Sequence, residues 1–162
     1  MNLNLGAWTH RIPGYLSVDA DPNVAPDVLA AVPPVPAEDG SAKHLYAGHF
    51  LEHLAPWDVL PFLADCHRAL VVGGTLTLVV PDMRRVRLLA NSQMLIGAAT
   101  ARLLLGDDAH AGMEHWTLWD RARLEDALRR AGFTVDPEYD WRTDERLYDR
   151  TASWQGGARG IK

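Results

Sequence analysis

The run Thr75-Leu76-Thr77-Leu78-Val79-Val80 constrains this chain more than any other segment. Uninterrupted β-prone residues without a polar alternation make a strand covered on both faces, the position of a central strand in a parallel sheet. Pro81-Asp82 stops it. Further strands are predicted at residues 3–6, at 15–19, where Tyr15, Ser17 and Asp19 alternate with Leu16 and Val18, briefly at 27–29, and at 44–48. Weaker candidates lie at 133–139 and 151–161. Helical spacing of Leu60, Leu63, Ala64, Ala69 and Leu70 predicts a helix over 57–70, with Pro61 in its first turn and Gly73-Gly74 as its stop. Residues 83–105 read as one broken helix or two, divided near Asn91-Ser92. Asp120 is placed to cap a helix over 121–131 that buries Leu124, Ala127, Leu128 and Ala131 and ends at Gly132.

Strands alternating with helices predict an α/β architecture: a mainly parallel sheet, helices on both faces, and an antiparallel C-terminal edge strand. A length of 162 residues with 48% hydrophobic and 23% charged residues fits one domain over 1–162. The net charge of -5 and the lack of a basic run disfavour nucleic acid as partner. No apolar stretch is long enough to cross a bilayer; the longest, 94–105, is broken by Arg102. The opening Met1-Asn2-Leu3-Asn4 lacks the features of a secretory signal. The lone Cys66 cannot form an internal disulfide, so a cytoplasmic location and a packed thiol are expected.

In open α/β sheets ligands bind beyond the carboxyl ends of the strands. Gly6, Asp19, Asp27, His49 and Asp82 are predicted on that rim, because each ends or follows a strand. Glycine at position 6 lets a ligand approach the backbone, or serves a plain turn. A carboxylate at Asp19 can accept two hydrogen bonds from a ribose diol, or cap the turn before Asp21-Pro22.

Four segments carry a resemblance: Leu3-Asn4-Leu5-Gly6, Pro13-Gly14-Tyr15-Leu16-Ser17-Val18-Asp19, His49-Phe50-Leu51-Glu52-His53-Leu54, and the stretch from Gly73-Gly74 to Pro81-Asp82. With His115-Trp116-Thr117-Leu118-Trp119-Asp120 and Ala131-Gly132-Phe133, the series resembles the Rossmann-like class I S-adenosylmethionine-dependent methyltransferases, in their small bacterial branch. The resemblance implies that Gly6, Ala7 and Trp8 cradle the amino-acid end of S-adenosylmethionine and that Asp19 holds its ribose. It implies that Asp27 and Val28 lie near the adenine, and that Ala47, Gly48 and His49 border the sulfonium and the acceptor. The loops after the fourth and fifth strands show no base-stacking series, basic groove or lipid-binding helix, which leaves a small molecule or sugar as the expected acceptor. His49 is the candidate base, since imidazole titrates near neutrality. The chain departs from the family pattern in three places. Gly6-Ala7-Trp8 replaces Gly-x-Gly, the loop from Ala7 to Gly14 is too short for the usual helix, and Lys43 stands where an aspartate is usual. The alternative reading is a non-catalytic scaffold of the same fold.

His49-Phe50-Leu51-Glu52-His53 also matches H-x-x-E-H, a zinc-hydrolase pattern that requires a helix. Here it follows a strand and shows no third ligand. It is therefore read as a polar first turn, and no metal is expected. His110 and His115 flank a polar stretch with Gly112 and Met113 that reads either as a lid over the acceptor or as a surface loop. His10 and Arg11 are placed either against the cofactor carboxylate or in solvent, and Trp116 and Trp119 either in a pocket or in the core.

Overall fold

The computed structural model describes residues 1–92, 98–106, 113–149 and 151–162. Its sheet contains β1 (Asn2–Leu5), β2 (Leu16–Asp19), β3 (Val28–Leu29), β4 (Ala42–Gly48), β5 (Leu70–Pro81), β6 (Thr134–Val135) and β7 (Gln155–Ile161). The spatial order is β3-β2-β1-β4-β5-β7-β6. Strands β1 to β5 pair in parallel, and β7 runs antiparallel to both of its neighbours. The direction of winding reverses between β1 and β4, which opens a crevice at their carboxyl ends.

The α/β architecture expected from the sequence is found, with two local differences. The antiparallel C-terminal strand is not at the edge. Strand β7 pairs with β5 from Thr75↔Ile161 to Pro81↔Gln155, whereas β6 has only two residues and is left outermost. Gly73-Gly74 does not stop a helix. Helix α1 (Val59–Ala69) runs directly into β5, and the glycines sit where the β4–β5 register jumps from Ala42↔Leu70 to His44↔Thr75. Gly73 there has φ 77°, open to glycine without strain.

The remaining helices are α2 (Met83–Asn91), α3 (Ala98–Leu105) and α4 (Arg121–Arg130). Asp120 caps α4, accepting the Arg123 amide at 2.9 Å. Side chains alternate across a strand. On one face Leu3, Leu5, Leu45, Leu76, Leu78 and Val80 therefore meet Phe62, Leu63 and Cys66 of α1 and Leu124 and Leu128 of α4. Burial pushes the Cys66 thiol well above its ordinary pKa, in keeping with a packed thiol. No helix among the described residues is long and apolar enough to cross a membrane.

The opposite face has a different cover. The chain between β1 and β2 is too short for a helix, and the irregular segment 136–154 lies there instead. It contains a 3-10 turn, Trp141–Thr143. Tyr139, Trp141 and Leu147 pack with Ile12, Tyr46 and Val79. A bidentate pair fixes this cover: Arg146 donates Nε to Asp144 Oδ1 at 2.7 Å and Nη2 to Asp144 Oδ2 at 2.5 Å. Tyr139 donates its hydroxyl to the same carboxylate at 2.9 Å. Arg146 also reaches Tyr15 Oη and Thr77 Oγ1, at 2.9 and 3.2 Å.

Burial opposes ionisation of Asp144, but the Arg146 and Tyr139 bonds outweigh it and hold the carboxyl below its ordinary pKa. A carboxyl depressed in the folded state stabilises the fold above its unfolded pKa of about 3.9, and that contribution fades as pH falls through the folded value. Asp144→Ala, which strands a part-buried guanidinium, should cost about 3 kcal/mol at neutral pH, the lower end for a buried pair. Urea titrations at pH 7 and pH 3 should show the difference between variant and parent shrinking in acid.

Candidate functional site

The carboxyl ends of β1, β2 and β4 surround a cleft with two adjoining compartments. Gly6, Trp8, His49, His53 and Met113 border both. The first compartment, about 480 Å³, extends past Asp19 to Ala30, Ala31 and Val32. The second, about 440 Å³, extends past Gly48 to Glu52, His115, Tyr148 and Trp154.

Gly6 and Asp19 are thus brought to one hollow. Gly6 has φ 62°, and a Cβ there would lie 2.2 Å from the Phe50 ring. The missing side chain makes room for the protein's own aromatic ring. Trp8, two residues further along the loop, keeps a left-handed backbone at φ 45°. Its amide donates to Asp19 Oδ2 at 2.6 Å, and Asp21 N donates to Asp19 Oδ1 at 3.0 Å. Each carboxylate oxygen keeps a further lone pair. The Trp8 residue is 43% exposed and borders the hollow without sealing it.

Other predicted residues are placed differently. Asp27 precedes β3 rather than ending it. Its Oδ2 accepts Ser17 N and Ser17 Oγ at 2.8 and 2.7 Å, so it clamps β3 to β2 and does not border the cleft. Those bonds hold its carboxyl below the ordinary pKa. Val28 packs against the core, and Ala47 is fully buried on the helix face. Ala7 and Gly48 border the second compartment. Asp82 is buried as the cap of α2, its Oδ1 accepting the Arg84 and Arg85 amides. Arg11 is spent on the carbonyls of Trp8, Val24 and Ala25, whereas His10 borders the second compartment. Trp119 belongs to the core and Trp116 is exposed. His110 lies outside the described residues.

His49 directly follows β4 with φ 55°, a left-handed conformation uncommon for a residue other than glycine. Its Nδ1 lies 3.2 Å from Glu52 Oε1 and its Nε2 3.1 Å from Gln155 Oε1. The Gln155 amide group is oriented by donation to the Asp149 carbonyl at 2.7 Å. Both imidazole nitrogens therefore face acceptors. Burial opposes charge on the ring, but the Glu52 and Gln155 bonds and the Glu52 charge outweigh it and raise the pKa. Each ring nitrogen is thus engaged by a neighbouring side chain rather than turned toward a bound acceptor, so His49 is held as a fixed wall of the cleft.

The H-x-x-E-H segment is not a zinc-hydrolase helix. Residues Leu51–His53 form one 3-10 turn, and His49 is held by Glu52 rather than aligned beside His53. The sequence reading missed His115 as a neighbour of this turn. Trp116 N and Thr117 N both donate to the Glu52 carbonyl, at 2.8 and 3.2 Å, which docks the segment after Met113 onto the turn. The His53 and His115 rings then meet edge-on with centroids 4.9 Å apart. Burial lowers the His115 pKa. Phe50 was also missed, although an aromatic residue directly after a rim histidine was a usable signal.

No family model matches the sequence, and no curated protein matches it. Solved structures do match its fold. A SAM-dependent methyltransferase from Archaeoglobus fulgidus superposes with TM-score 0.64 at 14% identity, over 99% of this chain and 85% of that one. An S-adenosylmethionine-dependent methyltransferase from Mesorhizobium loti gives 0.63 at 13% identity, over 99% and 90%. The 1,6-didemethyltoxoflavin-N1-methyltransferase of Burkholderia thailandensis, solved with 1,6-didemethyltoxoflavin and S-adenosylhomocysteine, gives 0.61 at 15% identity, over 99% and 70%. The chain is similar to these enzymes in architecture: its sheet and helices form the Rossmann-like methyltransferase fold.

Proposed function

We propose that this chain is an S-adenosylmethionine-dependent methyltransferase acting on a small-molecule acceptor, sugars included. The observation that carries the reading is the shared hollow of Gly6, Trp8 and Asp19 at the carboxyl rim of a methyltransferase-type sheet. The nucleoside half of the cofactor fits the residues present. Asp19 keeps one acceptor position on each oxygen for a ribose diol, with Ala30, Ala31 and Val32 as the wall beyond it. The amino-acid half meets a different cradle from the usual one. No helix begins after β1, and the Ala7 and Trp8 amides are already bonded to Val18 O and Asp19. That end is left to the second compartment, where His10 and Arg102 lie.

When bound, the cofactor supplies an electrophilic methyl group whose carbon–sulfur bond breaks with its electron pair retained on sulfur as the acceptor's lone pair attacks. The chain supplies alignment. Asp19 and the Gly6–Trp8 turn fix one end of the cleft, and His49, locked by Glu52 and Gln155, fixes the wall between the compartments. Trp8, Tyr148 and Trp154 line the second compartment with aromatic surface, suited to exclude water around a compact acceptor.

S-adenosylhomocysteine at 100 times its dissociation constant should stabilise the fold by about 2.7 kcal/mol, seen as a raised melting temperature. Asp19→Ala should lose that shift. An unshifted parent protein would return the chain to a scaffold of methyltransferase fold. Trp8 borders both compartments, so the same ligand should quench tryptophan emission. Trp8→Phe should remove most of that quench while keeping the melting shift, because the Trp8 amide that orients Asp19 does not depend on the indole.

A further inference from the structure

Glu52 is 1% exposed, and among the described residues its Oε2 has no hydrogen-bond partner, although Oε1 holds His49. An unmatched buried carboxylate oxygen costs about 1–3 kcal/mol or more, so its retention calls for a partner beyond those the described residues provide. Beside it stand two imidazoles. Glu52, His53 and His115 each offer one ligand atom, all within 4.8 Å of one another.

His53 is held as a metal-binding histidine is. His53 Nδ1 lies 3.0 Å from the Glu114 carbonyl, which takes the proton on that nitrogen and leaves Nε2 with its lone pair. Glu52 is in turn oriented by His49, so two of the three ligating groups have an outer partner fixing their direction.

We propose that Glu52, His53 and His115 bind one divalent transition-metal ion, of the zinc type, in the second compartment. Two imidazoles and a carboxylate suit zinc and its neighbours rather than magnesium or calcium. A tetrahedral zinc site needs ligand atoms about 3.3 Å apart, so small side-chain rotations close the set around the ion. All three residues border the second compartment, which leaves the fourth position facing the cleft. On the methyl-transfer reading, an ion there would lower the pKa of a hydroxyl acceptor, a task that His49 is not arranged to perform.

Zinc chloride titrated calorimetrically into chelator-treated full-length protein should bind one equivalent and raise the melting temperature. Glu52→Gln and His115→Gln should each weaken binding more than tenfold, whereas His67→Gln, on a distant helix, should leave it unchanged. Cobalt(II) added to the parent protein should develop the intense visible absorption of a four-coordinate site, a readout that does not require the variants to fold. No zinc uptake, no cobalt band, or undiminished binding by a folded His115→Gln would overturn the proposal. None of these measurements includes the methyl donor. A S-adenosylhomocysteine shift without metal uptake would remove only the ion, and metal uptake without that shift would remove only the transferase reading.

Discussion

Glu52 lies at the meeting point of three stretches of chain that are far apart in sequence. Its Oε1 holds His49 at the end of β4, and its backbone carbonyl accepts two amides from the segment leading to α4. His49 is tied through Gln155 to β7, and Gln155 to the Asp149 carbonyl. One buried side chain thereby connects the parallel half of the sheet, the antiparallel half and the irregular segment over the second face. A buried carboxylate is expensive to desolvate, and removing its partner would leave a charge unmatched. That penalty makes the geometry of the rim exacting: the turn, the His49 ring and the docked segment must all be in place together.

The two faces of the sheet are closed by different physics. The helix face is aliphatic and excludes water by packing. On the other face lie Asn4, Ser17, Thr77 and Gln155, buried polar residues that need partners. The short loop after β1, the connection from β2 to β3 and the segment 136–154 provide them. Asn4 donates to the His10 carbonyl, Ser17 pairs with Asp27, and Arg146 reaches Thr77. A helix, whose backbone groups are satisfied internally, could not serve these side chains as readily as irregular chain does. The same segment carries Tyr148, Asp149 and Trp154 into the cleft, so covering the face and walling the site are one structural act.

The sheet was largely legible in the sequence because strand patterns and breakers are local. The central strand, the Asp120 cap and the break after Asn91 needed no knowledge of tertiary contacts. The placement of Asp27 failed because a two-residue strand gives no periodicity, so its beginning was taken for its end. The site was half legible. Gly6 and Asp19 follow from the rule that strand ends meet at a switch point. His115 was not readable, because its approach to Glu52 depends on two backbone bonds formed by residues far apart in the chain. His49 was recognised as a rim residue, but its role turned on Gln155, over a hundred positions away, and no spacing rule reaches that far.

Trp8 and His49 close the reasoning about the cleft. Both hold left-handed backbone at the ends of β1 and β4, on either side of the switch point. Each non-glycine residue in that conformation costs about 1–2 kcal/mol, and glycine would adopt it without strain. The strain at Trp8 is offset by the bond from its amide to Asp19, which glycine would make equally well. The strain at His49 is offset by the bond from its amide to Val79 O, also available to glycine, and by its two ring bonds. Backbone requirements alone would select glycine at both positions. What the rings add is therefore the reason for the strain: an indole bordering both compartments, and an imidazole that anchors the carboxylate beside the second. The two turns therefore keep the backbone path that glycine would take and add to it an aromatic wall at Trp8 and an anchored carboxylate beside His49.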